Sequence, residues 1–350
     1  MLRVAWWMDE IVLETVPLTG SPWPTVDPFL FCVHHDDAYP AGNGRFGPDA
    51  PLAGREIGAD FAGVDGWRMY HGLEVPGFPQ HPHSGFETVT YVRRGLIDHS
   101  DSLGAAARFG RGDTQWLTAG RGIVHSEMFP LLDDDAPNPL ELFQIWLNLP
   151  GESKLAEPYF TMFWEAETPL VVATDDVGRV TGVTVVAGEL DGRRAPSPPP
   201  DSWASRAETD VAIWHLSLEP SAAWSVPAAS SAAVARVLYV YGGSLGVDGT
   251  GVDAPTGVVV RADAVAPIEA GPGGAQVLML QGRPIGEPVA QYGPFVMNEQ
   301  REIAQAFDEY RRTGFGGWPW SRDDPVHEGT SGRFARHADG REERVDEPVS

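Results

Sequence analysis

The chain has 350 residues, enough for two domains with cores of their own. Its 40 Gly and 31 Pro exclude a helix-rich architecture and favour short strands joined by turns. A formal net charge of -24 opposes direct contact with a nucleic-acid backbone, and a single cysteine, Cys32, excludes an internal disulfide and fits a reducing compartment.

From the N-terminus, Asp9 and Glu10 interrupt the first apolar residues, so the start does not read as a signal peptide. No later run reaches the roughly 18 apolar residues of a membrane helix. The expectation is a cytoplasmic protein with no membrane or nucleic-acid partner. Residues 1–26 read as a strand and a turn, and Phe29–Val33 as a buried strand. Residues 34–75 are polar and Gly-rich and read as a long loop. Such a loop is either a lid over a site or surface decoration. Residues 81–150 alternate strands with Gly turns at Gly95, Gly110 to Gly112 and Gly120 to Gly122, the spacing of a sandwich or barrel. Arg193 to Pro200 is Pro-rich and cannot lie inside a sheet. Strand-like runs then return at 211–218, 236–241, 257–260 and 276–280. One helix is predicted over 299–312, with Asn298 as N-cap, Ile303, Phe307 and Tyr310 on one face, and Gly314 as its stop. Residues 321–350 carry charge without apolar periodicity and read as a disordered acidic tail or an extended arm.

The chemistry-bearing residues cluster in the first half. His81-Pro82-His83 puts two imidazoles at i and i+2, which project from one face of a strand. His125-Ser126-Glu127 does the same for an imidazole and a carboxylate. Two such pairs on facing strands converge on one ion, and this donor set suits iron, nickel, copper, zinc or manganese. Four protein ligands around an octahedral ion leave two open positions. A closed structural zinc site, usually rich in Cys, fits less well. Glu87 reads as a residue behind the ligands, orienting a histidine or a substrate hydroxyl. His99 reads as a loop hydrogen-bonder. Cys32, His34 and His35 read as a buried thiol beside two loop histidines.

The stretches Pro76 to Tyr91, Asp101 to Gly104, Gly112 to Glu127 and Tyr292 to Asn298 resemble the pirin family. The likeness implies an all-β protein of two tandem cupin (double-stranded β-helix) barrels with a short C-terminal helix. It implies boundaries of 1–190 for a metal-binding barrel, 191–210 for a Pro-rich connector and 211–320 for a metal-free barrel carrying the helix. It also implies one divalent metal in the first barrel, iron(II) foremost with Zn, Mn, Ni, Cu or Co as alternatives, held by His81, His83, His125 and Glu127. Loop 34–75 is longer than the family usually has, and residues 183–275 match poorly. Two functions follow from the resemblance. One is a quercetin 2,3-dioxygenase-like enzyme that uses dioxygen on a flavonol, phenolic or enol substrate, with Glu127 as the catalytic carboxylate. The other is a metal- or redox-sensing module with protein partners and no turnover.

Overall fold

The computed structural model describes residues 10–345. The chain divides into two compact units, one of Met1–Cys32 with Ala166–Gly286 and one of Val33–Glu165 with Glu287–Ser350. Each is a β-barrel of the cupin kind. The division corrects the sequence-based boundaries. The Pro-rich stretch is not a connector, because it lies inside the unit Ala166–Gly286. The first strand, Val12–Pro17, pairs antiparallel with Thr256–Arg261 in the later barrel. The helix belongs to the barrel that carries the histidine pairs. Short-range patterns mark turns well, but they carry no information on which barrel a strand joins.

The later barrel is built on a nine-stranded sheet whose longest members are Ala235–Val247 and Ala266–Gly282. Its core is mainly Val, Leu, Ile and Ala, the β-branched and small residues that fit a pleated surface. His215 is buried there, its Nε2 2.7 Å from the Tyr241 hydroxyl.

The histidine-bearing barrel pairs a five-stranded with a six-stranded sheet. The first runs Tyr159–Phe163, Thr114–Thr118, Phe86–Arg94, Leu140–Asn148 and Phe29–Asp37. The second runs Glu342–Arg344, Phe334–Arg336, Ala106–Gly110, Leu96–Asp101, Ile123–Met128 and Gly77–His83. The last two strands of the chain therefore belong to a sheet, which corrects the expected disorder of 321–345 (346–350 lie outside the described residues). Polar groups rather than an apolar stripe fix this segment. Arg333 pairs with buried Asp113 at 3.0 Å, and the Trp320 indole donates to the Asp101 carbonyl at 2.8 Å.

The helix spans Gln300–Thr313 and buries Ile303 and Ala306 against Val124, Phe295, Met297 and Phe315. Its N-cap is Glu299, not Asn298. The Glu302 carboxylate reaches back to the Glu299 amide in a capping box, while the Asn298 side chain is taken by Glu287. Gly314 ends the helix as predicted, with φ 57°. Gly122, at φ 140°, lets the turn before Ile123–Met128 pass directly under the Phe315 ring, where a Cβ has no room. Gly122→Ala is expected to lower stability by about 1–3 kcal/mol in urea unfolding, and an unchanged midpoint contradicts this packing.

Candidate metal centre

Strands Gly77–His83 and Ile123–Met128 pair antiparallel with His81 opposite His125. Strand alternation then turns His81, His83 and His125 to the barrel interior. Their nitrogens include one from each ring that lie within 4.8 Å of one another, a spacing that suits a shared ion. Both ring nitrogens of His83 and of His125 are buried without a hydrogen-bond partner. Buried polar atoms are rarely left so, and a metal ligand is one of the few environments that accounts for such atoms. His81 Nδ1 donates to the Pro79 carbonyl at 2.8 Å, which fixes the tautomer with a bare lone pair on Nε2. Burial lowers all three imidazole pKa values, that of His81 to about 4 and those of His83 and His125 well below the ordinary histidine value. The rings are therefore neutral at physiological pH, as ligation requires. The residues present fit a divalent cation.

Glu127 is beside this triad but does not join it. Its Oε2 is 3.9 Å from His125 Nε2 and accepts from Gln144 Nε2 at 2.7 Å. Its Oε1 accepts from Thr90 Oγ1 at 3.2 Å. A buried carboxylate needs donors, and these two supply them. Burial raises its pKa above the usual glutamate value. The structure thus gathers three of the four predicted ligands and holds the fourth next to them.

Glu87 accepts from Thr118 Oγ1 at 2.6 Å. Thr90, three residues on, faces Glu127, so alternation places Glu87 on the opposite face of their strand. The Ser84–Gly85 turn separates this strand from Gly77–His83, so residue parity does not carry over from His81 and His83 to Glu87. His99 is not in a loop. It lies in strand Leu96–Asp101, fully buried, paired with Glu127 across strands. Its Nε2 is 3.2 Å from Asp101 Oδ2, and its ring is 5.4 Å from that of His125. His99 and Asp101 repeat the i, i+2 spacing of the ligand pairs, a signal present in the sequence but not used. His34 and His35 lie in strand Phe29–Asp37 and are engaged separately, by Glu141 and by the Tyr70 hydroxyl.

Aromatic rings flank the histidines. Phe86 and Trp146 meet His83 edge-on at 5.2 and 5.6 Å, and Phe78 meets His81 at 6.3 Å. The long loop packs on this wall, with Tyr70 5.1 Å from Phe78. Tyr70 is itself tethered, donating to Asp37 at 2.6 Å and accepting from His35 at 2.7 Å.

Because the imidazole pKa values are depressed, protons compete with a metal only well below pH 6.5. In Glu127→Gln, which removes the neighbouring carboxylate, metal affinity is expected to stay nearly flat from pH 7.5 to about 5.5 and to fall as pH approaches about 4. Competition against a chelator checks this. A steep loss beginning at pH 6.5 contradicts the buried, neutral triad.

The barrel with inward-facing histidines on paired strands defines a cupin-class protein with two cupin domains. Residues 19–147 match the pirin family and residues 213–316 the pirin C-terminal cupin domain. The chain belongs to the pirin family. It is 38% identical over 240 residues, 68% of this chain and 79% of the relative, to a Pseudomonas aeruginosa protein provisionally named a quercetin 2,3-dioxygenase. It is 35% identical over 254 residues to Pirin-1 of Arabidopsis thaliana, covering 69% of this chain and 78% of that one. Among solved structures it is similar to a quercetin 2,3-dioxygenase from Acinetobacter baumannii, with a TM-score of 0.66 and 25% identity over 83% of this chain and 87% of that one.

Proposed function

We propose that this protein is a mononuclear metal dioxygenase acting on flavonol-type or related enol and phenolic substrates. The observation that carries the reading is the triad of converging imidazoles, in which both ring nitrogens of buried His83 and His125 have no hydrogen-bond partner. His81, His83 and His125 would hold the ion, with Glu127 as the fourth candidate ligand and iron(II) as the first candidate metal. When bound, such an ion supplies a Lewis-acidic seat for a chelating oxygen and a redox partner for dioxygen.

The chain's own residues would do the rest. Glu127 Oε2 would take the proton of a substrate hydroxyl, and its raised pKa makes it a better base than an exposed glutamate. Gln144 and Thr90 hold that carboxylate in place while it is charged. Phe78, Phe86 and Trp146 pack around the histidines as an apolar wall that would keep water from the centre.

Anaerobic loading with iron(II), followed by quercetin absorbance and oxygen uptake in air, tests the reading. The expected result is one dioxygen consumed per quercetin, with one carbon monoxide released. Glu127→Gln is expected to lower kcat by about 10²–10⁴-fold. Tight iron binding without turnover of any flavonol or enol would replace this reading with that of a metal-sensing module.

A further inference from the structure

The strand Gly77–His83, which carries two of the three clustered histidines, is the last strand of its sheet. Pro79 and Pro82 suit that place, because an edge strand tolerates residues that cannot donate to a ladder. Its one ladder partner among the described residues is Ile123–Met128. Three separate segments close the open side. The Gly77 amide donates to the Met69 carbonyl at 3.2 Å, and the Ser84 amide to the Pro294 carbonyl at 3.1 Å. Between them, the Gln80 amide donates to the Asp323 carbonyl at 2.7 Å.

The pairing with Ile123–Met128 is irregular at this point. Phe78 stands opposite Glu127 and His81 opposite His125, so Pro79 and Gln80 together face Ser126 alone. This is a β-bulge, with the extra residue on the histidine strand. It decides which way the histidines point. Residues directly opposite in a ladder share a face, and side chains alternate along each strand. In a regular ladder continued from Phe78 and Glu127, Gln80 would stand opposite His125. His81 and His83 would then turn to the other face, as any one-residue slip requires.

The polar groups of the bulge are accounted for. Pro79 has no amide, and its carbonyl accepts from His81 Nδ1 at 2.8 Å. The Gln80 amide goes to the Asp323 carbonyl, and Gln80 Nε2 donates to Asp323 Oδ1 at 2.7 Å. Asp323 therefore holds the bulged residue by backbone and side chain at once. Its exposed neighbour Arg322 pairs instead with Asp324 at 2.9 Å and with Glu74 at 3.6 Å.

We propose that Asp323 is a positioning residue for the metal centre. Its two-point grip on Gln80 holds the bulge that turns His81 and His83 toward His125. The role rests on the metal reading above, and Asp323 acts only through Gln80.

Cobalt(II) titration against a chelator, urea unfolding and hydrogen exchange, all on the full chain, test the grip. Asp323→Ala is expected to weaken cobalt(II) binding about tenfold. The urea midpoint of the metal-free protein is expected to stay unchanged, because the bond lost is exposed. Asp323→Asn keeps an acceptor for Gln80 and is expected to restore cobalt(II) binding. Arg322→Ala is expected to bind cobalt(II) as the wild type does. In the metal-free chain, the Gln80 amide is expected to exchange at least about tenfold faster in Asp323→Ala than in the wild type. Wild-type cobalt(II) affinity in Asp323→Ala, no rescue by Asp323→Asn, or an equal loss in Arg322→Ala would overturn the proposal. A wild type that binds no cobalt(II) would overturn the metal reading and, with it, the positioning role. Unchanged Gln80 exchange in Asp323→Ala would overturn the grip itself, whether or not the metal reading stands.

Discussion

Arg108→Ala is expected to lower the unfolding free energy of the metal-free protein by about 3–5 kcal/mol. The Arg108 side chain is fully buried and grips Asp98 through two bonds of 2.7 Å. The same guanidinium donates to the carbonyls of Glu328 at 2.8 Å and His327 at 2.9 Å. Asp98 in turn accepts from the His327 amide at 2.8 Å. One side chain therefore satisfies a buried carboxylate and pins the C-terminal segment to the sheet. Removing it leaves Asp98 charged without its partner and those carbonyls without donors. Urea unfolding measures the loss, and limited proteolysis is expected to cut residues 321–345 at protease levels that spare the wild type. Arg311→Ala removes an exposed pair with Asp308 and is expected to cost less than about 1 kcal/mol. Equal effects of the two substitutions would remove the anchoring role assigned to Arg108.

His125→Ala carries the largest expected effect on function. His125 lies at the centre of the triad, its ring 4.5 Å from that of His81 and 4.8 Å from that of His83. The substitution removes a nitrogen donor from a fully buried position, and alanine offers no replacement. Bound metal is expected to fall from one per chain to near none, and quercetin oxygenation by at least about a hundredfold. The fold should survive, because burying an unpartnered imidazole contributes little to stability without the ion. Metal analysis and oxygen uptake on the same preparation check both parts. Retained metal with lost turnover would instead make His125 a group acting on substrate.

The clustering of His81, His83 and His125 was legible because its geometry is local. HxH and HxE spacings fix a strand face, and one antiparallel pairing brings the two faces together. Gly turns at regular intervals narrowed the fold to a sandwich or barrel, and the family likeness made it a cupin barrel. Glu87 was misplaced because a tight turn between His83 and Phe86 resets the alternation, and parity counts only within one strand. His99 reads as a loop residue in the sequence because its i, i+2 spacing to Asp101 marks a strand face only once the strand itself is known. Its burial depends on the pairing of Leu96–Asp101 with Ile123–Met128. The C-terminal segment was misread for a different reason. Its order rests on Arg108, Asp113 and Asp101 of the barrel, more than 200 residues away, and hydropathy of the segment itself does not report such partners. The exchange of terminal segments between units is likewise a property of long-range strand pairing, invisible to any window along the sequence.

X-ray absorption of the iron-reconstituted chain probes the centre directly. The prediction is a single ion per chain whose nearest shell contains three imidazole nitrogens, reduced to two in His81→Ala. A shell of oxygens alone, or a spectrum indifferent to His81, His83 and His125, would show that the ion sits elsewhere and that the triad does not bind it.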